Sequence, residues 1–97
     1  LNHFNISKYK MMALIAMENE DYDEAISYYE RALSNADLED QQHLISLDLA
    51  DIILITGDYS RSMELVQLVL NTAEPRSVNY IRAEELFGQI KYTQSSS

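Results

Sequence analysis

At 97 residues, 46% of them apolar and 24% charged, the chain has material for one modest hydrophobic core and no more. A formal charge of −9 disfavours nucleic acid and anionic lipid as partners, because both select basic surfaces. The absence of cysteine excludes disulfides and thiolate metal sites, and it is compatible with a reducing cytoplasm, the expected location. Two Gly and one Pro leave little turn punctuation, which favours long helices over a sheet. No apolar run approaches the roughly 20 residues needed to span a bilayer, and no signal peptide is visible. The chain starts at Leu1 rather than Met, which is compatible with a fragment of a longer protein.

Leu1 to Phe4 reads as a ragged lead-in, with Asn2, Asn5 or Ser7 available as a cap. Tyr9, Met12, Ala13 and Ala16 then recur at helical spacing, with Ile6 one turn earlier, and predict a first helix over about 6–19. The polar run from Glu18 to Asp21 reads as a tight turn, with Asp21 and Glu24 at capping-box spacing before a second helix over about 22–35. Ala25, Tyr29 and Ala32 mark its inner face, where two alanines allow a close helix approach and one tyrosine fills the gap. A third helix follows over about 40–56, with Ser46, Leu49, Ala50 and Ile53 inward and Leu44, Ile45 and Leu47 widening the apolar stripe. Gly57 closes it and Asp58 caps a fourth helix over about 59–71, with Ser62, Val66, Val69 and Leu70 inward. Pro75 stops that helix. A fifth is predicted over about 77–92, with Tyr80, Ala83, Phe87 and Ile90 on one face, before a frayed polar tail at 93–97.

The pattern repeats. Tyr22 and Tyr59 lie 37 positions apart (59 − 22), and the same offset superposes Met12 on Leu49, Ala13 on Ala50, Ala25 on Ser62, Tyr29 on Val66 and Leu33 on Leu70. Ala16 on Ile53 and Ala32 on Val69 break the size match. Paired helices at this period, with Ala25, Tyr29 and Ala32 in the second helix of a pair, resemble the tetratricopeptide repeat. Ala13 takes the small position of the first helix and Tyr22 the aromatic after the turn; Ala50, Gly57, Tyr59, Ser62, Val66 and Val69 take the corresponding places in the second copy. Phe87-Gly88 is read as the large–small pair of a third first helix. The period of 37 exceeds the usual length of about 34. Tyr9 and Ser46 stand where the family often has tryptophan, and Asp37 replaces the closing proline of the first copy.

The resemblance implies an all-α single domain of about five helices: antiparallel hairpins stacked as a short right-handed superhelix. One repeat would cover about 6–39, a second about 43–75, and a capping or third first helix about 77–92. It further implies a binding scaffold whose first helices line a concave groove for a peptide or protein segment. On the groove it places Lys10, Leu14 and Met17, then Leu44, Leu47, Asp51 and Leu54, then Glu85 and Gln89. The apolar members suit apolar anchors and the acids a basic flank. The lysine–asparagine–arginine clamp that one subclass uses for chaperone tails is disfavoured, since Leu14 and Asp48 or Asp51 stand where it would lie. Self-association through Phe87 and Ile90 is an alternative, as is service as the sensor or partner-binding segment of a larger regulator, to whose longer-period arrays the chain is loosely similar.

Neither catalysis nor a cofactor is expected, for there is no glycine-rich phosphate loop and no nucleophile elbow. The acidic run from Glu18 to Glu24 lacks the loop of a calcium site and reads as a solvated turn. His3 and His43 have no third ligand at a convincing spacing, so metal binding is not expected either.

Overall fold

A computed structural model describes residues 2–96, all placed in helices or the turns between them. The helices are α1 (Asn2–Glu18), α2 (Tyr22–Ser34), α3 (Glu39–Ile55), α4 (Tyr59–Thr72) and α5 (Val78–Ser96). Each packs on the next, and α3 also packs on α5. The odd-numbered helices therefore form one layer and the even-numbered helices another, in a slab of 40 × 32 × 16 Å. None of them is long and apolar enough to cross a membrane.

Both hairpins turn in the same way. Glu20 and Gly57, 37 positions apart, each adopt positive φ, at 58° and 87°. The following N–H groups, of Asp21 and Asp58, bond back to the carbonyls of Ala16 and Ile53 at 2.8 and 3.3 Å. This geometry satisfies carbonyls that the helix end leaves open. Each aspartate then caps the next helix, Asp21 Oδ1 accepting from Glu24 N–H at 3.4 Å and Asp58 Oδ1 from Arg61 N–H at 3.2 Å. The capping box predicted at Asp21 forms only this half, because the Asp21 N–H is already used on Ala16.

The two size mismatches in the repeat offset a third difference, that between Tyr29 and Val66. In the first hairpin Tyr29 is buried beside Ala13, Ala16, Ala25 and Ala32. Its counterpart Val66 is smaller, while Ile53 and Val69 are larger than Ala16 and Ala32, so each hairpin fills its gap with a different division of the volume. Ser62, fully buried in place of Ala25, donates its hydroxyl to the Ala50 carbonyl at 2.8 Å. On the other flank of the first hairpin Tyr9 stacks on Tyr28 at 6.5 Å, with the Arg31 guanidinium 5.9 and 5.7 Å from the two rings.

Both ends of the chain depart from the sequence expectation. The lead-in at Asn2–Phe4 is part of α1, while Leu1 lies outside the described residues. The tail predicted to fray is helical as far as Ser96; Ser97 lies outside the described residues. Polarity alone does not end a helix, and Ser95 donates its hydroxyl to the Lys91 carbonyl at 2.7 Å within the last turns.

Candidate functional site

The apolar character of α3 all round its axis has a structural cause. Ile45, Leu49, Ile52 and Ile53 pack into the core of the first hairpin, while Leu47 and Ala50 pack with Val66, Val69, Ala83, Leu86 and Ile90 in a second core. What α3 leaves toward the open side of the odd-helix layer is the strip Leu44, Asp48, Asp51 and Ile55, at helical spacing.

Leu44 sits at the meeting point of two clefts. One lies between α1 and α3 and is lined by His3, Ile6, Ser7, Lys10, Gln41, Leu44 and Ile45. The other lies between α3 and α5 and is lined by Asp40, Gln41, Leu44, Ser77, Val78 and Asn79. Further along, Arg82 reaches from α5 to Asp48 Oδ1 at 2.8 Å and Asp51 Oδ2 at 2.9 Å. Burial works against the Arg82 charge, but its hydrogen bonds to the two carboxylates outweigh that and hold the guanidinium above its ordinary value. The triad ties α5 to α3 and leaves this stretch of the face with one net negative charge rather than two.

The structure thus brings Lys10 and Leu44 together, with Leu14 exposed about one turn beyond Lys10 on α1. Asp51 lies on the same face, engaged with Arg82. Glu85 and Gln89 are exposed on α5. Met17 and Leu54 are half-buried against the first and second cores, so they serve packing first. Leu47 is a correction: it is fully buried, because α3 packs directly on α5 at that level. Ile90 is another: it is fully buried and so unavailable for the self-association expected of it, while Phe87 is half-buried beside it. Arg82 of α5 is committed to the carboxylates of α3.

The register of α5 also needs correcting. Ala83, Leu86 and Ile90 are buried as Ser46, Leu49 and Ile53 are, so the offset of 37 (83 − 46) continues into the third helix of the layer. Leu86-Phe87, not Phe87-Gly88, aligns with Leu49-Ala50, so the small member of the pair is replaced by a half-buried phenylalanine, and Gly88 is exposed with open space where a Cβ would be. The counterpart of Leu44 is therefore Ile81, which is exposed. Ile81 and Ile55 are absent from the predicted groove set, although the unbroken period reaches Ile81.

On the opposite side the backbones of α2 and α4 stay apart, and α3 floors the space between them. Glu30 and Arg61 form an ion pair across one end. At the other, the buried His43 ring places Nε2 2.8 Å from Thr72 Oγ1. The Thr72 hydroxyl donates to the Leu68 carbonyl at 2.7 Å, so it accepts from His43, and Nε2 carries the proton. His43 is therefore a packing residue.

Two stacked hairpins with a repeated turn, closed by a fifth helix, make a helical-repeat architecture. Residues 7–37, the first hairpin, match the family model of the tetratricopeptide repeat. That stretch is similar to one tetratricopeptide repeat. Tetratricopeptide repeats generally mediate protein–protein interaction, and the second hairpin follows the first in turn, cap and core. No curated protein and no solved structure matches the chain.

Proposed function

We propose that the odd-helix face of this chain is a binding groove for a peptide or protein segment, and that binding rather than catalysis is its role. The observation carrying this reading is Leu44, 40% exposed although it sits centrally in the layer and lines the clefts on both sides of α3. A leucine kept open there supplies an apolar anchor point. Lys10 borders it on one side and Asp40 on the other, while Glu85 adds acid further along α5. These acids suit a ligand with an apolar anchor and a basic flank. The helices are fixed by two cores, so little ordering entropy is lost on docking.

Capture from lysate with the wild type beside Leu44→Glu tests the reading, with circular dichroism confirming that helicity is kept. A partner lost by Leu44→Glu but retained by Leu68→Glu, a change on the opposite face, is the expected result. Equal capture by wild type and Leu44→Glu overturns the assignment. Leu47→Glu is unsuitable as a probe, because that side chain is core.

A further inference from the structure

The α2–α4 side holds more open space than the clefts of the odd-helix face. It consists of two adjoining basins of about 570 and 340 Å³. Both are lined by Leu33, Leu65 and Leu68, and Leu68 is 56% exposed. Along α4 the first basin is lined by residues 61–68 and the second by residues 65–72, a displacement of four residues. That is about 6 Å, close to one helical turn. The rim is acidic: Glu39 and Glu64 stand on it besides the Glu30–Arg61 pair.

A helix entering this groove needs two apolar side chains four residues apart and a cation beside them. Such a helix exists in the chain itself. The outer side of α1 exposes Met11 (65%) and Ile15 (57%), with Phe4 and Lys8 continuing the same stripe toward its start. With Lys8 and Lys10 against Glu18 alone, α1 carries one net positive charge in a chain of −9, and no other helix is net positive.

We propose that the α2–α4 groove receives α1 of a second copy of this chain, Met11 entering the basin beside His43 and Thr72, Ile15 the basin beside Glu30 and Arg61, and Lys8 lying over Glu39. The inference concerns the opposite face from the peptide groove and stands independently of it. Stripe and groove are different surfaces, so the contact is heterologous: a pair still has one groove and one stripe free, and assembly runs on into a ring or an open chain.

Sedimentation or light scattering between about 10 μM and about 1 mM tests this, a range that reads dissociation constants of about 10 μM to 1 mM. The wild-type mass should climb from 11.2 kDa past the dimer as concentration rises. Ile15→Glu and Leu68→Glu each alter a side chain that is more than half exposed, so both should keep wild-type helicity and stay at 11.2 kDa alone. Mixed in equal amounts, they should form a pair that grows no further, since one intact stripe and one intact groove remain between them. Lys8→Glu should weaken association about tenfold, and Glu39→Lys added to it should restore it. A wild type that remains at 11.2 kDa throughout overturns the proposal. So does association that survives Leu68→Glu, which would assign the stripe to some other surface, or a mixture that fails to pair. Failure of the Glu39→Lys rescue overturns the register.

Discussion

The first and second hairpins follow one backbone path with different means. The first turns through Glu20 in a conformation that costs a residue with a Cβ, and fills its core with one tyrosine among alanines. The second turns through Gly57 and spreads its core volume over Ile53, Val66 and Val69. Their first helices differ most in surroundings. α3 is enclosed on two sides and α1 on one, so equivalent positions have opposite fates: Leu47 is fully buried, whereas Lys10, 37 positions earlier, lines an open cleft. A repeat position therefore prescribes backbone geometry, and its burial depends on what stacks beside it.

Exchanging charge at that pair gives the largest contrast. Leu47→Glu removes a core leucine and buries a carboxylate, at a cost of about 4 kcal/mol or more, and the chain should lose cooperative urea unfolding. Lys10→Glu should change stability by no more than about 0.5 kcal/mol. Equal effects from the two would mean that α3 and α5 do not pack as described.

Swapping the core solutions should cost somewhat less. Tyr29→Val opens a cavity worth about 3 kcal/mol, and Val66→Tyr overpacks its site by about 1–3 kcal/mol. Adding Ala16→Ile and Ala32→Val to Tyr29→Val should recover part of the loss, which thermal unfolding would detect. Absence of any recovery would break the volume-compensation account.

The turns come next. Gly57→Ala should destabilise by about 1 kcal/mol. Glu20→Gly should stabilise by about 0.5–1 kcal/mol, the relief of strain exceeding the entropy that glycine adds to the unfolded chain. Opposite signs from the two substitutions in a denaturant titration would sharpen the parallel between the turns.

The smallest contrast is electrostatic and confined to the first hairpin, because Val66 has nothing to ionise. Burial, aided by Asp48, raises the Tyr29 phenol above its ordinary 10.0 even though Arg82 opposes the shift. The folded state thus favours the neutral ring. Its contribution to stability is complete below pH 10.0 and is lost as pH rises through the higher folded value. Tyr29→Phe should remove this part of the alkaline fall in stability, read by unfolding between neutral and alkaline pH. An unchanged fall would show that Tyr29 does not carry it.

Five helices, both capping aspartates, the glycine turn and most inward faces were legible in the sequence. They depend on local spacing and on residues that act within a turn or two of themselves. The likeness of the first hairpin to the family was legible for the same reason, since Ala25, Tyr29 and Ala32 are fixed by the close approach of two adjacent helices. What only the tertiary structure decided was which side of each apolar helix stays open. Leu44 and Leu47 are chemically alike and three residues apart, yet one lines two clefts and the other is enclosed. Arg82 looks like any surface cation until α5 is set against the carboxylates of α3. Burial and ion pairing between helices depend on long-range contacts, and no periodicity within a single helix encodes which neighbour will be there.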